Sequence, residues 1–253
     1  MTTRMGITIP MTDDAALSPD ALHALLAWMS PAFPVGAYTY SHGLEWAVEE
    51  GTVKDAPSLE AWLGDVLRHG AGRSDAILLA RAMDAANAGD TRAFLDLLEL
   101  SLALQPSAER FLEASAQGGA FIAAVRDAWP APHECPASAL FQDLTSGPEA
   151  VPRNGWSYPL AVALAASAHD IPAAAVVGAY LHAFAANLVS AAVRAVPLGQ
   201  TDGQRVIRAL GPAIAALAGD APDSGLEDIG GCAFLADIAS MNHETQYTRL
   251  FRS

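Results

Sequence analysis

The chain has few of the residues on which several common classes of protein depend. Its two cysteines, Cys135 and Cys232, stand far apart without CxxC spacing, which indicates neither a disulfide framework nor a structural zinc site. Fourteen basic residues against 28 acidic ones leave a net charge of -14. That balance argues against nucleic-acid binding, which needs a basic face for the phosphates. The N-terminus also lacks the apolar core of a secretory signal, so we expect a cytoplasmic protein.

The motifs of common enzymes are missing as well. The sequence contains no GxxxxGK[ST] phosphate loop, no GxGxxG turn, no HExxH helix and no GxSxG elbow. His133, Glu134 and Cys135 form its one tight cluster of potential metal ligands, which supplies too few well-spaced groups for a closed site. We therefore predict no enzyme and no stably bound cofactor or metal. A small helical enzyme that uses His42 and Glu45, or His243, for acid–base chemistry is the alternative.

Residue patterns typical of α-helices are abundant in the sequence. Hydrophobic residues make up 52% of the 253 residues, and they recur at helical spacing behind capping residues such as Ser18 and Ser58. Thr201 with Gln204, and Ser224 with Glu227, match the spacing of a capping box. No segment alternates with period two for long enough to predict a strand. We predict an all-α, single-domain bundle of about ten helices.

Three parts of the chain are expected to depart from regular helix. Residues 1–17 are predicted to be a flexible N-terminus, and residues 130–156 a loop-rich insertion with one short helix near Leu140. Residues 240–253 are predicted to be a tail that docks on a partner. All three are assigned to one domain spanning residues 1–253, because the helices on both sides of the insertion are alanine-rich and apolar.

The longest apolar segment, Pro172–Val196, is nearly long enough to span a membrane. It contains His182, Asn187 and Arg194 and lacks flanking positive clusters, so we interpret it as a buried central helix. Tyr180, Asn187 and Arg194 recur along it every seven residues. This polar stripe either forms hydrogen bonds where the helix meets its neighbours or solvent, or faces a partner or a water-filled path.

Three segments have an unusual character for a helical core. The opening loop, residues 30–45, reads SPAFPVGAYTYSHGLE and combines helix-breaking residues with aromatic ones. Residues 194–205, RAVPLGQTDGQR, end one helix and begin another. The C-terminal tail, residues 240–253, reads SMNHETQYTRLFRS and mixes aromatic, aliphatic and arginine side chains, a mixture typical of interface anchors. Such a tail either folds back on its own domain or docks on another chain.

Together these segments resemble the urease accessory protein UreF family. The matching stretches are SPAFPVGAYTYSHGLEWAVEEGTV, PLGQTDGQR and MNHETQYTRLFRS, and they lie in the expected order across almost the whole chain. The intervening helices and the loop at 130–156 add little to the match. The three matching stretches are the basis of the expectations that follow.

The resemblance implies an all-α, non-catalytic scaffold for nickel insertion into apo-urease. Such proteins pair with UreD, called UreH in some systems, form dimers within that complex, and recruit the GTPase UreG. Nickel is then handled by the assembled complex and GTP by UreG, while this chain binds neither nucleic acid nor membrane. A generic helical adaptor unrelated to urease is a further alternative.

The resemblance also implies which residues bind partners, and the opening loop and the tail are expected to act together. We hypothesise that the tail packs through Arg249, Phe251 and Arg252 against the opening loop or the turn at Pro197–Thr201, and that UreD binding orders the tail. The predicted partner-binding residues are Tyr38, Tyr40, Ser41, His42, Glu45, Arg194, Pro197, Gly199, Gln200, Thr201, Gln204, His243, Tyr247, Arg249, Leu250, Phe251 and Arg252.

For several of these residues a structural role is an open alternative. Tyr38 and Tyr40 are candidates for core aromatics that cover the end of the bundle. Gln200 and Gln204 are candidates for helix capping. Arg194 is a candidate for a cation that stabilises a helix C-terminus.

Overall fold

The structure is a computed structural model that describes residues 17–148 and 150–252. The predicted flexible N-terminus lies outside the described residues except for Leu17. Within the described ranges the chain forms eleven α-helices and no strand, which confirms the all-α fold class. The helices are α1 (Pro19–Trp28), α2 (Leu44–Glu49), α3 (Ala56–His69), α4 (Ala71–Ala88), α5 (Thr91–Ala103), α6 (Ala108–Ala128), α7 (Pro136–Ser146), α8 (Tyr158–Ala168), α9 (Ala173–Ala195), α10 (Gln200–Asp220) and α11 (Phe234–His243).

Side-chain caps fix where several helices begin. The Ser18 hydroxyl accepts a hydrogen bond from the Ala21 amide at 3.1 Å at the start of α1, as predicted. Helix α3 begins earlier than expected, because Asp55 is its N-cap and Ser58 is the third helical residue of a reciprocal capping box. We predicted Ser58 as the N-cap of this helix, whereas it is the third helical residue and Asp55 is the N-cap.

Both predicted capping boxes are wrong. Thr201 and Gln204 both lie inside α10, whose N-cap is Gly199 and carries no side-chain cap. Near Ser224 and Glu227 the chain forms a short 3₁₀ helix, Leu226–Asp228, in which the Asp228 carboxylate accepts a hydrogen bond from the Gly225 amide. Helix α11 begins only at Phe234, ten residues after Ser224.

Helix α8 lies at the centre of the core. Every residue from Pro159 to Ala168 is buried, because α8 packs between α4, α6 and α7. Helix α7 supplies buried Leu140 and Leu144 from within residues 130–156, so the helix predicted near Leu140 is present. That these residues form an insertion stays a prediction.

Helix α9 is the one described helix long and apolar enough to cross a membrane. Half of its most apolar stretch is buried inside the protein, and the helix packs against α10, α4 and α2. These contacts are those of a core helix.

The polar stripe of α9 joins the helix to other parts of the chain. The Tyr180 hydroxyl donates to the Asp75 carboxylate at 2.7 Å, the Asn187 amide donates to the Tyr40 carbonyl at 3.5 Å, and the Arg194 guanidinium donates to the Tyr38 carbonyl at 2.8 Å. These bonds favour the first interpretation of the stripe. They place α4 and the opening loop along one side of α9.

Asp75 is a buried acid at the crossing of α4 and α9. Burial raises its pKa to about 6, against the opposing effects of the Tyr180 hydrogen bond and the Arg110 charge and with a small addition from Glu113. The unfolded chain, with an ordinary pKa, loses this proton at lower pH than the folded chain does. Stability is therefore lost as the pH rises from about 4 to about 6, by an amount on the order of 3 kcal/mol.

We predict that Asp75→Asn increases the free energy of unfolding by roughly 2 kcal/mol at pH 8, because the amide keeps an acceptor for Tyr180 and carries no buried charge. The gain should disappear near pH 4, where both forms of the folded protein are neutral at this position. Urea unfolding at the two pH values measures the difference, and Asp65→Asn, at an exposed acid of α3, is the matched control. An equal gain at both pH values would contradict the assignment.

Candidate docking site formed by the opening loop and the tail

The opening loop is a sequence of tight turns. Gly36, His42 and Gly43 all have left-handed backbone, with φ of 73°, 60° and 76°. Between them lies a short 3₁₀ helix, Ala37–Thr39. Tyr38 is 65% exposed whereas Tyr40 is only 3% exposed, so Tyr40 is a core aromatic and Tyr38 is a surface residue.

Gly43 is the point at which the opening loop meets α11. A Cβ atom at this position would lie 2.6 Å from the Ser240 nitrogen and 2.8 Å from its Cα atom. Both the positive φ and the backbone contact require glycine here. The close approach brings α2, which begins at Leu44, against α11 and therefore toward the tail.

Glu45, in the first turn of α2, binds the tail directly. Its carboxylate accepts hydrogen bonds from the backbone amides of Leu250 at 2.7 Å and Phe251 at 3.0 Å, and its Oε2 lies 3.2 Å from His243 Nε2. Glu45 is only 7% exposed. A buried carboxylate with three such donors is well satisfied, and it fixes the path of the tail.

His243 connects Glu45 to a second acid, Glu109 in the first turn of α6. The ring is fully buried, and its Nδ1 lies 2.5 Å from Glu109 Oε2. The other Glu109 oxygen accepts a hydrogen bond from Arg249 at 2.7 Å. Each nitrogen of the His243 ring therefore has a carboxylate partner, Glu109 at Nδ1 and Glu45 at Nε2.

Three more contacts hold the tail against the loop and α9. Phe251 is buried, with the Arg194 guanidinium 4.4 Å from the centre of its ring. The Arg252 amide donates to the Thr39 carbonyl at 2.8 Å. The Gln246 side-chain amide donates to Glu49. The tail therefore folds back on its own domain, and Arg194 holds both Phe251 and the Tyr38 carbonyl.

The remaining predicted site residues divide between this cluster and a separate surface. Ser41 and His42, which belong to the opening loop, are buried. The residues of the turn, Pro197, Gly199, Gln200, Thr201 and Gln204, are exposed at the start of α10, and none of the contacts between described residues joins them to the tail. Of the two hypothesised packing surfaces, the tail uses the opening loop. The Arg252 side chain is exposed, and it is its backbone that makes the contact.

The acid–base alternative finds no support in this geometry. Glu45 is engaged by the tail, and burial, with a smaller contribution from the Arg110 charge, lowers the pKa of His42 well below its usual value. The Nδ1 atom of His42 lies 3.9 Å from the Glu113 carboxylate, too far for a hydrogen bond. His42 is also only 6% exposed, so it does not face a substrate.

Among the described residues, no three histidine, cysteine, aspartate or glutamate side chains are grouped so that they could hold a metal ion. The Nε2 atom of His133 lies 2.8 Å from the exposed Asp170 carboxylate. Cys135 is the N-cap of α7, where its sulfur accepts a hydrogen bond from the Ser138 amide. This cluster is therefore a helix start.

Several large apolar side chains remain exposed around the docked tail. Tyr247 is fully exposed and Leu250 is 70% exposed. The outer face of α11 adds Phe234, Leu235, Ile238 and Met241. Exposed apolar groups of this size beside an ordered loop are typical of a protein-binding surface.

Comparison with known proteins extends this picture. The profile of the UreF family matches residues 53–211. The chain is 50% identical over 233 residues to the urease accessory protein UreF of Rhodopseudomonas palustris strain HaA2, which covers 92% of this chain and 94% of that protein. The chain belongs to the UreF family. Over 237 residues it is also 50% identical to the protein of the same name from Xanthobacter autotrophicus, with 93% of each chain covered.

Membership of a family of accessory proteins confirms the prediction that the chain is not an enzyme. A second Rhodopseudomonas palustris relative, from strain BisB18, is 49% identical over 252 residues, 98% of this chain. The similarity to the UreF relatives therefore extends beyond residues 53–211 toward both ends of the chain. The alternative of an adaptor unrelated to urease is thereby wrong.

Sequence reasoning missed Glu109 and Glu49 as partners of the tail. Glu109 lies 134 positions from His243 and stands in the first turn of α6, where an acidic residue is expected in any helix. The sequence therefore offered no signal of its contact with the tail.

We predict that Glu45→Gln releases the tail. Glutamine has one acceptor oxygen, and its amide group would face N–H donors, so buried amides of the tail lose their partners at a cost of roughly 1–3 kcal/mol. Hydrogen exchange at the Leu250 and Phe251 amides should accelerate about 10-fold to 100-fold. Glu50→Gln, at the exposed end of α2, should leave both exchange rates unchanged.

We also predict that Gly43→Ala is more destabilising than Gly51→Ala. Both glycines have nearly the same φ, 76° and 75°, but a Cβ at Gly51 meets nothing within 4 Å. The Gly51 variant should lose only the roughly 1 kcal/mol of left-handed strain, whereas the Gly43 variant must also separate α2 from α11. Denaturant unfolding measures both changes, and equal losses would show that the contact with Ser240 contributes nothing.

Proposed function

We propose that this protein is a scaffold for urease maturation. With UreD, or UreH where that name is used, it recruits the GTPase UreG and supports nickel insertion into apo-urease. Membership of the UreF family supports the accessory role. The observation that carries the scaffold assignment is the tail docked on the opening loop, which builds one continuous surface from two distant parts of the chain.

In this proposal the internal contacts order the surface before a partner arrives. Glu45, His243 and Arg194 hold the backbone of the tail and of the loop, while Tyr38, Tyr247 and Leu250 face outward. A surface that is already ordered loses less entropy on binding. Tyrosine supplies a large contact area with few rotatable bonds, which suits the two exposed tyrosines to the role of anchors.

The surrounding chemistry is assigned to the partners. Nickel is cargo that the assembled complex handles, and GTP is bound by UreG. We propose that the protein acts in the cytoplasm as a homodimer within that complex. The turn at Pro197–Thr201 and the start of α10, including Gln204, are exposed and are the second candidate surface for a partner.

Co-purification with size determination tests the proposal. The full chain, Glu45→Gln, the control Glu50→Gln and a chain ending at Ala239 are each co-expressed with UreD, and UreG is then added with nucleotide. We expect the full chain and the control to form a complex of two copies of each protein that captures UreG. The truncated chain should fail, and Glu45→Gln should bind at least 10-fold less UreG because its tail is not held.

Each remaining outcome has a defined meaning. If the full chain does not bind UreD, the scaffold assignment is wrong. If the truncated chain assembles as well as the full chain does, the tail is not the interface. Circular dichroism of each purified variant distinguishes loss of binding from loss of fold.

A further inference from the structure

A cavity of about 270 Å³ lies beside the docking site and is separate from the contacts of the tail. Its walls come from α1, α4, α6, α8, α9 and the opening loop. Pro31 and Tyr38 are among its lining residues, and both are exposed, so the cavity reaches the surface next to the loop. The polar stripe of α9 contributes Tyr180 and Asn187 to the same lining.

Three buried acidic or basic side chains line this cavity, Asp75, Arg110 and Glu113, each less than 9% exposed. Arg110 and Glu113 form an ion pair with each other, so the three side chains together carry one net negative charge when all are ionised. Asp75 remains, and its hydrogen bond from Tyr180 is the only one it receives from the described residues. A carboxylate accepts about four hydrogen bonds, so Asp75 has free acceptor capacity toward the cavity.

The rest of the lining mixes aromatic, polar and aliphatic side chains. The aromatic ones are Trp28, Tyr38, Tyr158, Tyr180 and Phe184, and the polar ones include Gln105, Gln117 and Asn187. Aromatic faces attract organic cations, and the attraction is stronger where water is excluded. One carboxylate beside several aromatic side chains suits an alkyl cation better than a metal ion, which requires several oxygen or nitrogen ligands.

We propose that this cavity binds a small organic cation that carries an alkylammonium or a guanidinium group. The cation sits among the aromatic rings and donates hydrogen bonds to the free acceptor positions of Asp75. The net charge of -14 raises the concentration of cations near the protein. The group belongs either to a free amine or to a lysine or arginine side chain that a partner inserts beside the opening loop.

Calorimetric titration of the full chain with n-butylammonium at pH 7.5 tests the proposal, with n-butanol as the neutral probe of similar shape. We expect saturable binding of the cation at least 10-fold tighter than of the alcohol. Asp75→Asn should weaken cation binding at least 10-fold, and Asp65→Asn should leave it unchanged.

A second variant keeps the Asp75 carboxylate and fills part of the cavity. Ala183 lines the cavity from α9, and Ala183→Leu should abolish binding while Asp75 stays in place. Equal affinity for the alcohol and the cation, or unchanged cation binding in Asp75→Asn, would overturn the proposal. Unfolding curves for both variants confirm that the fold is intact before the titration is interpreted.

A hexapeptide with one lysine, compared with the same peptide carrying norleucine, distinguishes the two sources. If the lysine peptide binds and displaces n-butylammonium, the occupant is a side chain of a partner. If the free amine binds and the peptide does not, the occupant is a free molecule. If neither binds, the proposal fails. None of these measurements involves UreD or UreG, so their failure would leave the proposed scaffold function untouched.

Discussion

The architecture of the docking site depends on one buried carboxylate. Glu45 receives three N–H donors from the tail, two of them from the backbone amides of Leu250 and Phe251. A carboxylate buried without donors is costly, so the loop and the tail stabilise each other only when both are in place. Glu109 is a second carboxylate that binds this region, through His243 and Arg249. It connects the beginning of α6 to the cluster.

The buried polar groups of the bundle lie in two regions, one around Glu45 and one around Asp75. The carboxylates of Glu45 and Glu109 and both nitrogens of His243 all have partners, which fixes the position of the tail. The Asp75 region, on the other side of the opening loop, keeps a buried acid with free acceptor capacity next to aromatic rings. Helix α9 borders both regions, since Arg194 contacts the tail and Tyr180 contacts Asp75.

The fold class and most helices could be predicted from the sequence because they depend on local signals. Ser18 and Ser107 cap α1 and α6, and the periodic apolar residues of α3 to α6 fix their faces. The errors arose where a capping pattern occurs by chance, as at Thr201 with Gln204. There the chain begins α10 at Gln200 behind Gly199, and Gly203 must pack against Val189 and Val193 of α9, a tertiary contact that no local pattern contains. The pairing of Glu45 with the tail was equally invisible, because 205 positions separate it from Leu250.

That separation has a consequence for synthesis in the cell. The opening loop and α2 leave the ribosome long before the residues that complete Glu45, so a nascent chain carries an unfinished surface until translation has passed Phe251. A chain that stops early lacks the anchors for Arg194 and Glu45 and presents an incomplete surface to its partners. Only a chain translated through Phe251 therefore supplies all three N–H groups that Glu45 accepts.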